Sequence, residues 1–182
     1  MKHDNLLEEK MHIHIYTLFP IIFMIHEFEE IIFIKHWLIE NMEYLYKKFP
    51  KIGPKFYIQY SEFTTAGLAL AIFEEFIIFC ILTYLSIIFQ NSYIWFAIFM
   101  GFFIHLIPHI LPGVFLKKYI PGIVTSILII PYFAYGLSEY INKEIYTIEW
   151  LIICSILGII GMLLNLKLMH YLGKKISRWD LK

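Results

Sequence analysis

Charge is scarce in this chain. Asp, Glu, Lys and Arg make up 16% of its 182 residues, where a soluble domain carries roughly 25%. The 15 basic residues balance 15 acidic ones, so no basic face offers itself to a phosphate backbone and nucleic acid is excluded as a partner. Cysteine is rare: Cys80 and Cys154 both fall in apolar segments, which points to packing rather than a disulfide. No glycine-rich phosphate loop occurs and no Ser-His-Asp arrangement is visible. The H-E-x-x-H pattern of zinc proteases is missing too. His26 and Glu27 begin it, but Glu30 stands where the second histidine belongs, and Leu106 follows His105. The opening residues, MKHDNLLEEKMH, mix both charge signs and do not resemble a cleaved signal peptide, so the first span is expected to act as its own insertion signal.

What the chain has instead is hydrocarbon. Its residues are 59% hydrophobic and its mean hydropathy is +0.67. Apolar segments of about 20 residues, each long enough to cross a bilayer, recur along it. The expected fold is all-α, a polytopic transmembrane helical bundle forming a single integral membrane domain over 1–182. Five spans are expected: His14 to Ile34 with a helical continuation to Lys47, Phe63 to Phe89, Tyr93 to Leu116, Ile120 to Leu137, and Ile148 to Met169. The fourth is the shortest, and a tilted or partly re-entrant path is open to it. KKFPKIGPK reads as a turn after the first helix, leading into an interfacial piece. The links QNS and YINKEIYT are short enough to favour antiparallel neighbours.

The basic residues orient this bundle. With five spans, all of the 15 except Lys2, Lys10 and Lys143 fall on one side. The positive-inside rule makes that side cytoplasmic, with the N-terminus outside and the C-terminus in the cytoplasm.

Ionisable residues inside the spans are costly and mark function or tight pairing. The first span holds His26, Glu27, Glu29 and Glu30; the second, Glu74 and Glu75; the third, His105 and His109. At helical spacing His26, Glu29 and Glu30 share one side, across an arc of about 100°, and Glu27 is expected to point elsewhere. His105 and His109 share a face as i and i+4, with Pro108 between them and Pro112 one turn on. All of these groups lie in one slab, from mid-membrane into the cytoplasmic half. Three readings of that shared depth stand open: a metal site, a proton or ion pathway, and a buried structural network. Imidazole plus carboxylate suits a divalent metal, zinc for example, or a di-iron or di-manganese pair. In that reading His26, Glu30, His105 and His109 are the ligands, and Glu29 or Glu74 is the general base or a further ligand. The corresponding function is a membrane-embedded, metal-dependent enzyme acting on a lipidic or small hydrophobic substrate. A proton- or ion-coupled small-solute transporter and a non-catalytic scaffold are the alternatives.

Asn165, in the last span, is expected to orient a site glutamate or to bond a neighbouring helix. Gly158 and Gly161 allow close helix approach, although their spacing does not match G-x-x-x-G. Pro108 and Pro112 are expected to kink the third span.

These residues resemble the HXXEE family of small bacterial and archaeal membrane proteins of uncharacterised function. The naming motif stands here as His26, Glu29 and Glu30. A second motif of that family, Y-x-P-G, is matched by Tyr119, Pro121 and Gly122 in KKYIPGIV. The resemblance also implies a further histidine, matched by His105 or His109, and four or five spans. It brings no activity. Tyr119, Pro121 and Gly122 are expected to set how the fourth span enters beside the site, with the tyrosine hydroxyl as a supporting or substrate contact.

Overall fold

A computed structural model describes residues 2–51, 53–141 and 147–180. The described chain is helical throughout, in seven elements: α1 (Lys2–Lys48), α2 (Gly53–Ser61), α3 (Thr65–Ile88), α4 (Ser92–His105), α5 (Ile107–Leu116), α6 (Ile123–Ile141) and α7 (Ile148–Asp180). The expected turn falls between α1 and α2, and α2 is the short piece anticipated there. The Lys35 ammonium of α1 donates to the Tyr60 carbonyl of α2 at 2.9 Å and ties the two together. Lys143 and Lys182, which enter the charge count, lie outside the described residues.

Among the described residues, four segments are long and apolar enough to cross a membrane: Thr65–Ile88, Ser92–Leu116, Ile123–Ile141 and Ile148–Trp179. The count is four where five were expected. α1 falls short because Glu27, Glu29 and Glu30 interrupt its apolar run. The third segment is α4 followed by α5, broken at Leu106. Pro108 has no N–H for a helical bond across that turn. The fourth segment, α6, is a continuous helix of 19 residues.

α1 buries Ile15, Tyr16, Phe19, Ile22, Phe23, His26, Glu30, Trp37 and Leu38, at spacings of one, three, four and seven. That is one stripe of a helix. Its opposite side exposes Leu18, Ile21, Ile25, Phe28 and Ile32, an apolar surface suited to lipid. The stripe packs on aromatic rings from α3 and α4. Phe19 and Phe23 meet Phe79 and Phe102 with ring centroids 4.8 to 5.8 Å apart, and Tyr16 stacks on Trp95. Phe99 carries this core on to Phe133 of α6.

α4 and α7 approach closely because glycines face each other. A Cβ on Gly101 would stand 2.9 Å from the Gly158 carbonyl oxygen, and one on Gly158 would collide with the Ala97 carbonyl. We therefore expect Gly158→Ala to force the two helices apart, at a cost of about 1–3 kcal/mol. The readout is a lowered unfolding temperature in detergent, with an unchanged value counting against this packing. Gly161, by contrast, meets nothing within 4 Å and is not part of the contact.

The helix ends are held locally. Thr64 caps α3 by accepting from the Gly67 N–H at 3.0 Å, and Asn91 caps α4 by accepting from the Tyr93 N–H at 3.1 Å. Glu62 pairs with Lys174 at 2.6 Å and joins the start of α3 to the end of α7.

Candidate metal centre

Three imidazoles converge within the bundle. His26 comes from α1, His105 ends α4, and His109 lies in the first turn of α5. Their ring centroids lie 5.0 to 5.4 Å apart. Glu30, one turn below His26 on α1, enters the same space. One ligand atom from each of His26, Glu30, His105 and His109 can be chosen so that all lie within 4.8 Å of one another. These are the four expected ligands.

The hydrogen bonds around the rings decide which nitrogens face inward. His109 Nδ1 is 2.9 Å from the Pro121 carbonyl oxygen. A carbonyl only accepts, so Nδ1 carries the proton, and Nε2 of the neutral ring presents a lone pair. His26 Nδ1 is 3.0 Å from Thr125 Oγ1. The one hydroxyl proton of Thr125 is directed at Glu29 Oε2, 2.6 Å away. His26 Nδ1 is therefore the donor to Thr125, and its Nε2 also turns a lone pair inward. Nε2 of His26, Nε2 of His105 and Oε1 of Glu27 are buried without a hydrogen-bond partner among the described residues.

Glu30 Oε1 completes the set at 2.8 Å from His109 Nε2 and 4.0 Å from His105 Nε2. Two electron-pair donors face each other at 2.8 Å only if positive charge sits between or beside them. A proton meets that need for one contact. A divalent cation meets it for all the converging atoms together, and it also balances the two carboxylates, Glu27 and Glu30, buried here at 3% and 7% exposure. A tetrahedral ion with ligands at about 2.0–2.1 Å needs ligand atoms roughly 3.3 Å apart. The four candidate ligand atoms lie within 4.8 Å of one another, of the order of that spacing.

Two expected placements change. Glu27 does not point away: its Oε1 lies 3.4 Å from His105 Nε2, inside the group. Glu29 leaves the group instead. Its carboxylate accepts from the Thr125 N–H at 2.8 Å and the Val124 N–H at 3.4 Å, so it caps the first turn of α6, where the helix dipole favours negative charge. Glu74, half-buried on α3, stands outside the four-residue group, with Oε2 lacking a hydrogen-bond partner. Glu75 is buried on α3, and it lines a cavity between the helices together with Asn165 of α7.

The residues between α5 and α6 build the floor of the site. The Tyr119 carbonyl accepts from Trp37 Nε1 at 2.7 Å, which fastens the segment to α1. Burial, and then the neighbouring Glu29 carboxylate, push the Tyr119 hydroxyl above its usual pKa. Pro121 contributes its carbonyl to His109. Gly122 has φ +90, and a Cβ there would lie 2.5 Å from His109 Nδ1. Only glycine meets both conditions.

His26, Glu29 and Glu30, with Tyr119, Pro121 and Gly122, thus form one continuous arrangement. Residues 17–136 match the family described as protein of unknown function with HXXEE motif. The chain belongs to that family. The motif letters acquire separate roles in this HXXEE protein: His26 and Glu30 face the centre, and Glu29 holds His26 through Thr125. No curated protein and no solved structure matches the chain.

Thr125 is the residue that sequence reasoning missed. It stands three positions after Gly122, and nothing in its type or spacing marks it. Thr125→Val keeps the shape and removes the acceptor for His26 Nδ1. We expect metal affinity to fall about 10–100-fold, as it does when a ligand histidine loses its hydrogen-bond partner. Titration with zinc or manganese in detergent reads the effect, and unchanged affinity would remove Thr125 from this role.

Proposed function

We propose that this HXXEE protein is a membrane-embedded metal-dependent enzyme acting on a lipidic or small hydrophobic substrate. The observation that carries the reading is the convergence of His26, Glu30, His105 and His109, with the His26 and His109 rings turned so that unprotonated Nε2 atoms face the carboxylate. Three nitrogens and one oxygen are a donor set for zinc, iron or manganese. The four residues make one such set, which favours a single ion over a pair.

When bound, the ion supplies Lewis acidity, polarising a carbonyl or lowering the pKa of a water. Glu27 is the carboxylate best disposed to accept a proton, because its Oε1 faces the group and lacks a hydrogen-bond partner. Glu29 is committed to Thr125 and α6, and Glu74 stands apart. Tyr119, Pro121 and Gly122 hold the rings rather than the substrate.

In this reading α1 is a fifth crossing. Its polar residues turn inward while Leu18, Ile21, Ile25, Phe28 and Ile32 meet lipid. Five crossings of one membrane domain leave the N-terminus outside and the C-terminus in the cytoplasm, in keeping with the lysine distribution.

Metal analysis of protein purified after expression with zinc, iron or manganese supplied tests the proposal. We expect about one ion per chain, as a single closed ligand set requires. Loaded protein in bilayers is then screened for turnover of bilayer lipids. Protein without ion under every supply sinks the metal centre. Bound ion without turnover of any lipid class sinks the enzyme and leaves a metal-binding membrane protein.

A further inference from the structure

A second feature lies beside the metal centre, on the other side of Glu75. A cavity of about 780 Å³ runs between α3, α4 and α7. That volume is in the range of ligand pockets, roughly 300–1,000 Å³. Tyr93 and Trp150 stand near one end, and Glu75 and Asn165 near the other. From Trp150 to Asn165 along α7 is roughly 22 Å of helix, most of the ~30 Å hydrocarbon thickness. Its walls are almost wholly apolar, and among the described residues no lysine or arginine lines it.

Two details separate this cavity from an ordinary lipid-facing furrow. Gly161 opens onto it, and a Cβ there would meet nothing within 4 Å, whereas Gly101 and Gly158 on the same wall are in tight contact. α7 is therefore drawn against α4 at one level and leaves a void at the next. At the other end Glu75 is only 7% exposed, yet it lines the void together with Asn165. A carboxylate and an amide on the wall of an apolar channel are costly unless a polar group meets them.

We propose that the α3–α4–α7 cavity binds the chain of a single-chain lipid whose hydroxyl head hydrogen-bonds Glu75 and Asn165. The head is not an anion, because among the described residues no cationic side chain lines the cavity, and not an ammonium, which only donates and leaves the Asn165 N–H unmet. It is a hydroxyl, because the carboxylate accepts and the amide both donates and accepts, and a hydroxyl matches both. Phe79, on the cavity wall, packs on Phe102, whose ring stacks on His105, so the cavity lies beside the candidate metal centre. The inference deepens the proposed function and rests on its view of a lipidic substrate. The binding itself does not require the metal.

The test uses the full chain in lipid discs and three photoreactive probes: a long-chain alcohol, the acid of equal length and the alkane. We expect the alcohol to label peptides of α3, α4 and α7 at least tenfold more than the alkane. Gly161→Leu fills the void without displacing a neighbour and should cut alcohol labelling about tenfold, with Gly161→Ala intermediate. Asn165→Leu should abolish the preference for alcohol over alkane. Metal content is measured on the same samples. Equal labelling by alcohol and alkane, or labelling indifferent to both Gly161→Leu and Asn165→Leu, overturns the lipid site, since bulk lipid then fills the space. Stronger labelling by the acid overturns the hydroxyl assignment. Wild-type protein without metal but with the labelling pattern intact overturns the metal centre alone.

Discussion

Glu30→Gln is expected to empty the proposed metal centre. The substitution keeps the length and shape of the side chain and removes its charge, leaving three imidazoles and Glu27 to hold a divalent ion. The Glu30 carboxylate approaches His109 Nε2 to 2.8 Å and lies 4.0 Å from His105 Nε2, so it touches more of the group than any other carboxylate. Loss of a direct ligand should exceed the roughly 10–100-fold cost of losing a ligand's hydrogen-bond partner. We expect metal content to fall to background and affinity to fall more than about 100-fold. Glu29→Gln, which acts only through Thr125 and His26, should stay within the smaller range. Thermal unfolding separates this outcome from a purely structural network. Added metal should raise the unfolding temperature of the wild type, because a ligand that binds only the folded state stabilises it. It should not raise that of Glu30→Gln. In a metal-free network the same substitution breaks the buried Glu30–His109 pair and lowers the unfolding temperature, while added metal changes neither the wild type nor the variant. A variant that keeps its ion, or a wild type indifferent to metal, would remove the basis for the centre.

The second large effect is expected from a residue without a side chain. Gly122→Ala asks an L-residue to hold φ +90 and puts a Cβ 2.5 Å from His109 Nδ1 and 2.9 Å from its Cγ. The backbone strain alone costs about 1–3 kcal/mol. Relief comes only by shifting the 119–122 segment or the His109 ring, and either breaks the bond to the Pro121 carbonyl. We expect the variant to lose at least about tenfold in metal affinity, and its unfolding temperature to fall. Pro121→Ala keeps the carbonyl that His109 uses, so it should be far milder toward metal. Gly122→Ala with wild-type affinity would mean that the segment does not fix the ring.

Much of this molecule was legible from composition and spacing. Apolar runs of membrane length gave α3, the α4–α5 segment and α6 to within a few residues, because hydrocarbon admits few other ways to satisfy a backbone, while the polar ends of α1 and α7 extend well past those runs. His105 and His109 at i and i+4 had to share a face, and so did His26 and Glu30. The assignment of Glu27 and Glu29 went astray for a geometric reason. At about 100° per residue, Glu27 lies only about 60° from Glu30, while Glu29 lies about 100° away on the other side. A face centred on His26 admits Glu29; the face that meets α4 and α5 is centred on Glu30 and admits Glu27. Which centre applies depends on where the neighbouring helices sit.

The same limit explains the rest. Sequence by itself determined that this is a membrane helical bundle with buried histidines and carboxylates at one depth, since period and hydropathy are local properties. Only the tertiary structure decided that Thr125, 99 positions from His26, accepts its Nδ1 proton, that the Pro121 carbonyl fixes His109, and that position 122 needs a glycine because the His109 ring fills the space beside it. Those contacts join α1, α5 and α6 across loops, and no periodicity within a helix encodes its rotation against another. The packing of side chains between helices sets that rotation, and with it which nitrogens face one another.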